Sequence, residues 1–222
     1  SVNIGFEGAV GGGIPIINPL LEQLSLGKIR KISGILNGTT NFILTRMNEG
    51  MDYRSALKIA QEKGFAEANP DFDVKGLDAA QKISILASLA FGKWLKPHEV
   101  FCKGITKITP IDIEYAKECG YIIKLLAVAE KTDNDQIDIG VYPALIHRNH
   151  RLASINEEFN AILVEGNPFD EYFMVGKGAG QGPTAFSVYY DIIKIAQMIR
   201  IGAVRKILKD TNHFIELRKC QK

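Results

Sequence analysis

Glu67, Asp73, Asp78 and Lys82 fall within one stretch, Gly64 to Lys82, which reads GFAEANPDFDVKGLDAAQK. Carboxylates and an amine gathered this closely can move a proton. The stretch runs into an amphipathic helix expected from about Gly76 to Phe91. At about 100° per residue, Asp78, Lys82, Ile85, Leu86 and Leu89 share one side of it, and Gln81, Ser84 and Ser88 the other. An Asp four residues before a Lys is ordinarily a solvated ion pair worth about a few tenths of a kcal/mol. Lys82, however, falls near the middle of the apolar stripe, where water cannot be its main partner. A desolvated ammonium needs a carboxylate, and its proton affinity becomes adjustable towards neutrality. The spacing therefore supports a catalytic reading beside the plain one.

These residues need a scaffold, and the rest of the chain supplies one. A short strand is expected around Asn3 to Phe6, followed by Gly11-Gly12-Gly13 and the apolar run IPIINPLLEQL, which becomes helical near Asn18. A second strand spans Lys31 to Leu36, with Ile32, Gly34 and Leu36 alternating against Lys31, Ser33 and Ile35. A helix follows Asn37-Gly38-Thr39, where the same residues could simply turn the chain and cap that helix. Asp52 reads as the N-cap of YRSALKIAQEK, closed by Gly64, and Thr109-Pro110 opens IDIEYAKEC, closed by Gly120. Further on, YIIKLLAVAEK and IDIGVYPALIH flank the polar turn TDNDQ, and NAILVEG and DEYFMVG flank Asn167-Pro168-Phe169. Both pairs read as antiparallel hairpins. Helices in the first half and paired strands in the second predict an α+β fold, a mainly antiparallel sheet covered on one face by helices. A last amphipathic helix, TAFSVYYDIIKIAQMIR, precedes a basic tail.

Composition narrows the function. With 222 residues, 46% hydrophobic and 23% charged, and a formal net charge of +2, the chain has an ordinary globular balance and no basic signature for nucleic acid. No apolar run approaches the ~20 residues that span a bilayer, and SVNIGFEGAV lacks the pattern of a signal peptide, so a cytoplasmic setting is expected. Cys102, Cys119 and Cys220 are scattered and odd in number, which favours free thiols. His147 and His150 form an H-x-x-H pair with no further ligand at metal spacing. Between a strand and a helix, Gly176 to Thr184 (GKGAGQGPT) lets backbone N–H groups approach an anionic group at a helix N-terminus; alternatively, it is a tight turn. Its spacing is not the dinucleotide fingerprint G-x-G-x-x-G. Gly11-Gly12-Gly13 lacks the Gly-Lys-Ser/Thr of a phosphate loop and can serve as a flexible joint.

Read together, G-F-A-E-x-x-P-x-x-D-V-x-G-x-D-A-A-x-K, GILNGTTNFIL at Gly34 to Leu44, FEGAVGGGIPII at Phe6 to Ile17 and the run Gly176 to Thr184 resemble the catalytic domain of homoserine dehydrogenases, over nearly all of residues 4 to 202. The resemblance implies interconversion of L-homoserine and L-aspartate 4-semialdehyde, with hydride passing between substrate C4 and the nicotinamide of NAD or NADP. It assigns Lys82 as proton donor and acceptor at the C4 oxygen and Asp73 as the group that orients the lysine or a bridging water. Glu67 and Asp78 would bind substrate, and Gly38 and Thr39 would line its pocket. Gly178, Gly180 and Thr184 would contact the cofactor, and backbone carbonyls of Glu7, Val10, Gly12 and Ile14 would hold a monovalent cation such as sodium. A homodimer is also implied, with residues 1-203 as the catalytic and dimerisation domain and 204-222 as a basic tail. Asn69 departs from the family, which often has Asp there, and the family's nucleotide-binding domain has no counterpart in this sequence. The chain is therefore expected to be the substrate-binding half of a larger enzyme, inactive alone. Two other readings stay open: a dehydrogenase of another small amino or oxo acid, and a redox-inactive amino-acid-binding or dimerisation module.

Overall fold

The computed structural model describes residues 2–203; the tail at 204–222, with Cys220 and His213, lies outside them. In chain order the elements are α1 (Ile17–Leu21), β1 (Lys28–Ile35), α2 (Gly38–Asn48), α3 (Tyr53–Glu62), α4 (Asp71–Val74), α5 (Leu77–Phe91), β2 (Phe101–Cys102), α6 (Pro110–Glu118), β3 (Tyr121–Lys131), β4 (Ile137–His147), β5 (Phe159–Asn167), β6 (Asp170–Lys177) and α7 (Gln181–Arg200). Six strands form one sheet in the order β2-β4-β3-β1-β5-β6. Every pairing is antiparallel except that of the two-residue β2 with β4. The expected α+β architecture is what forms.

Local chemistry accounts for the elements. Asp52 accepts from the Arg54 and Ser55 backbone N–H groups at 2.9 and 3.1 Å and starts α3. Thr109 and Asp112 form a reciprocal capping box at the start of α6, with Pro110 in the first turn. Both expected hairpins appear, β3–β4 and β5–β6. The strand expected at Asn3 to Phe6 does not: that segment runs irregularly into a single 3-10 turn, Glu7–Ala9, because it meets α7 instead of a strand edge. The Phe6 carbonyl accepts from the Ala9 N–H at 3.0 Å to close that turn, and the Glu7 N–H donates to Asp191 Oδ2 at 2.9 Å on α7.

The main core lies between the sheet and the layer of α1, α2, α3, α5 and α6, with Ile32, Phe42, Ile83, Leu86, Leu125 and Ala127 buried in it. A smaller cluster on the opposite face, with Ile35, Ile146 and Leu152 at its centre, is covered by the 3-10 turn Arg151–Ser154. Helix α5 corrects one expectation. Ser84 and Ser88 are buried, whereas Ile85 and Leu89 are only partly so. Both serines satisfy their hydroxyls on the helix itself, donating to the Gln81 and Ser84 carbonyls, which lets small polar residues pack inward. Lys82 thus lies at the rim of the packed face instead of its middle, its side chain 19% exposed.

One fully buried lysine leaves no mark in the sequence pattern. Lys124, on β3, is 0% exposed and donates to Asn41 Oδ1 at 3.0 Å, Asn156 Oδ1 at 3.1 Å and the Ile155 carbonyl at 2.5 Å. Burial pushes its pKa down to about 8, and those three oxygens tie α2 and the 155–159 loop to the sheet.

Candidate functional site

The site is built where β1 hands over to α2. Asn37 is the N-cap of α2: its Oδ1 accepts from the Thr40 backbone N–H at 2.9 Å and from the Thr40 hydroxyl at 2.9 Å. That fixes which end of the carboxamide points away from the helix, and Nδ2 donates to Asp73 Oδ1 at 2.7 Å and to Asp78 Oδ2 at 2.9 Å. Asp78 in turn pairs with Lys82, Oδ2 to Nζ 2.7 Å. The ammonium also donates to the Leu36 carbonyl at 3.0 Å. Two successive residues of one strand–helix junction therefore grip the charged cluster, the carbonyl taking the cation and the amide the two anions.

Two helices deliver these side chains. Asp73 comes from the one-turn α4, Asp78 and Lys82 from α5, and between the helices Gly76 adopts φ 85°, a left-handed conformation that suits glycine. Helix α4 is pinned from behind: the Ile105 N–H donates to the Val74 carbonyl at 2.9 Å. At Gly104 a Cβ would stand 2.0 Å from that same oxygen, so only glycine permits the approach. Thr39 donates from its hydroxyl to the Phe65 carbonyl at 2.5 Å and so holds the loop that carries Glu67. Glu67 itself is solvent-exposed, yet its charge reaches Asp73. Gly38 packs on the Glu158 backbone, where a Cβ would meet the carbonyl at 2.6 Å.

Burial raises the pKa of Asp73 above the usual carboxylate value; the Asn37 hydrogen bond and Lys82 oppose the rise, while Asp78 and Glu67 add to it. A carboxyl pushed up by desolvation beside an amine and a second carboxylate is the arrangement found where protons are moved.

The other predicted residues form a second cluster, where residues 7–14 meet residues 176–187. A Cβ on Gly12 would stand 2.6 Å from the Gly178 carbonyl oxygen, the Gly13 N–H donates to Lys177 O at 3.1 Å, and Ser187 Oγ donates to Gly12 O at 2.7 Å. Thr184 packs over Gly8. Gly178 lies on Asn160, whose carboxamide is 0% exposed and without a hydrogen-bond partner for either its oxygen or its nitrogen. The glycines at 178, 180 and 182 open the N-terminus of the twenty-residue α7, with free space above Gly182. Such a bare, dipole-backed terminus fits the anionic or amide portion of a nicotinamide cofactor. The Glu7 side chain is engaged elsewhere, accepting from the Ile16, Ile17 and Asn18 N–H groups at 2.6, 2.7 and 2.9 Å and so capping α1. Among the described residues no group of three His, Cys, Asp or Glu side chains is placed to hold a metal ion. Any cation at Glu7, Val10, Gly12 and Ile14 thus depends on backbone carbonyls, of which that of Gly12 already accepts from Ser187. The two clusters are joined through Glu158, which pairs with Lys177 at 3.2 Å.

Comparison with known proteins decides the family. The sequence pattern of the homoserine dehydrogenase family matches residues 15–193. The chain belongs to the homoserine dehydrogenase family. It is 50% identical over 197 residues to the homoserine dehydrogenase of Synechocystis sp., covering 87% of this chain and 46% of that protein. To that of Bacillus subtilis it is 46% identical over 201 residues, with 90% and 46% covered. The crystal structure of a homoserine dehydrogenase from Thiobacillus denitrificans superposes with a TM-score of 0.86 at 41% identity, over 88% of this chain and 46% of that one. The chain thus spans about half the length of the homoserine dehydrogenases it matches. Asn37, Gly104 and Asn160 do not stand out as site residues in the sequence. The only signal for Asn37 is its place as a cap, which says nothing of what its amide nitrogen reaches; the other two depend on contacts between segments distant in the chain.

Proposed function

We propose that this chain is the substrate-binding and proton-transfer half of an enzyme that interconverts L-homoserine and L-aspartate 4-semialdehyde. The observation that carries the reading is the cluster of Asp73, Asn37, Asp78 and Lys82, with Lys82 Nζ 2.7 Å from Asp78. A nicotinamide cofactor, NAD or NADP, supplies the hydride acceptor and donor when bound. In the direction of reduction Lys82 donates a proton to the aldehyde oxygen as C4 gains a hydride and the CHO group becomes CH2–OH, and its charge stabilises developing alkoxide. In the reverse direction Nζ takes that proton back. Asp78 holds Lys82 in place and, with Glu67, faces the substrate's α-ammonium, while Asp73 orients the lysine or a bridging water. Gly38 and Thr39 line the substrate side at the α2 N-terminus, where N–H donors suit a carboxylate. Gly178, Gly180 and Thr184 would hold the cofactor, with Asn160 packed beneath Gly178. A monovalent cation at the carbonyls of Glu7, Val10, Gly12 and Ile14 would brace the joint between the two clusters, and no step runs through it. A homodimer built on residues 1–203 completes the reading.

The test is made on the full-length polypeptide. Homoserine-dependent reduction of NAD or NADP is expected, and Lys82→Met should lower kcat by about 100-fold or more while the protein still folds, as loss of a general acid does. Turnover by Lys82→Met at the wild-type rate would rule the reading out.

A further inference from the structure

Asn37 occupies a position that neither capping nor substrate binding explains by itself. A carboxamide carries two N–H donors and one acceptor oxygen, and here all three are spent. The oxygen is fixed by the Thr40 N–H and hydroxyl, and the backbone carbonyl of Asn37 accepts from the Thr40 hydroxyl at 3.1 Å and the Asn41 N–H at 3.3 Å. Because the oxygen is tied to a backbone donor, the amide cannot flip, and its nitrogen must face the carboxylates. Asp73 and Asp78 arrive from two different helices and, as like charges in a half-buried place, would repel or share a proton without a donor between them. The nitrogen lies between them at 2.7 and 2.9 Å.

We propose that Asn37 is a positioning residue for proton transfer: it locks Asp73 and Asp78 to the α2 N-cap, so that Asp78 stays aimed at Lys82 and both carboxylates keep one geometry. The proposal rests on the reading of this cluster as the site of proton transfer. Serine and aspartate cap a helix about as well as asparagine, so substitutions can separate the cap from the clamp. Serine keeps an acceptor for the Thr40 N–H but cannot bridge two carboxylates; aspartate keeps the shape and the cap but presents oxygen where a donor is needed.

The experiment measures kcat/KM against pH, and melting temperature, for full-length wild type, Asn37→Ser and Asn37→Asp. Asn37→Ser is expected to melt near the wild type, to lose about 10- to 100-fold in kcat/KM, and to shift the acid limb of its profile to higher pH, because Asp73 loses the bond that holds its pKa down. Asn37→Asp should lose more activity than Asn37→Ser, with its cap intact. Wild-type kcat/KM and an unmoved acid limb in Asn37→Ser would overturn the proposal. So would a loss of activity that merely follows the loss of melting temperature in both variants. Failure of the underlying reading shows separately, as wild-type turnover by Lys82→Met.

Discussion

Asp73 illustrates how a site residue can cost the fold what it gives the chemistry. Its folded pKa is raised, first by desolvation, above the value it has in the unfolded chain. The folded state therefore holds the proton more tightly, and whatever stability this group contributes is fully present below the unfolded pKa and lost as pH rises through the folded one. At neutral pH the carboxylate is a burden, and removing its charge should relieve it. Asp73→Asn is expected to melt at or above the wild-type temperature at pH 7, since its side-chain oxygen can still accept from Asn37, while kcat falls. The difference in melting temperature between the two should shrink on acidification, as the wild-type carboxyl takes up its own proton. Parallel melts at pH 4, 5.5 and 7 measure this, and a variant less stable than wild type at pH 7 would contradict it. Opposite effects of one substitution on stability and rate are what a functional carboxylate predicts and a structural one does not.

At the level of elements, the short α4 depends on a contact that no local rule announces. Gly104 is pressed onto the Val74 carbonyl, with the backbone of Lys75 immediately behind, so neither neighbour can swing aside as a side chain would. Gly104→Ala must therefore push α4 away from the sheet and take Asp73 with it. We expect the melting temperature to fall by several degrees, about what 1–3 kcal/mol produces in a chain of this size, and the activity of the full-length enzyme to fall with it. Differential scanning fluorimetry with initial rates reads both, and an alanine variant of wild-type stability would mean that α4 can yield at this contact without cost. The same contrast separates what sequence shows from what it hides. Asp52 and Thr109 announce their helices because a cap is a bond between near neighbours, and the β3–β4 and β5–β6 hairpins are local for the same reason. The Asp78–Lys82 pair is legible from its i,i+4 spacing. The Asn37 bridge to Asp73 joins residues 36 positions apart, and the Asn160–Gly178 contact joins β5 to the loop after β6, so neither leaves a periodic trace. The inward-facing serines of α5 escape a reading by side-chain polarity because a helix can satisfy their hydroxyls internally.

Across the whole molecule, α7 reverses the usual amphipathic pattern. Its inward stripe begins with Thr184, Ser187 and Asp191, and the latter two are buried against the 5–14 segment. Its outward side carries Phe186, Tyr189, Ile192 and Ile199 at 68%, 62%, 58% and 68% exposure. A soluble helix normally turns such residues inward, and a contiguous apolar face of this length marks a surface that another surface covers. The chain spans about half of its relatives' length, and a chain of their length carries further residues to cover such a face. Amide hydrogen exchange over residues 181–200 should therefore be markedly slower in the full-length enzyme than in the isolated 222-residue chain, with the β3 and β4 amides similar in both. The isolated chain should also self-associate, and the double variant Tyr189→Lys, Ile192→Lys should lower its sedimentation coefficient towards that of a smaller species without altering its circular dichroism. In the full-length enzyme the same pair should instead lower stability, because two ammonium groups would be forced into a covered apolar surface. Equal exchange of α7 in both chains, with the double variant harmless in both, would show that this face stays in water and that the helix is held only by its narrow polar stripe.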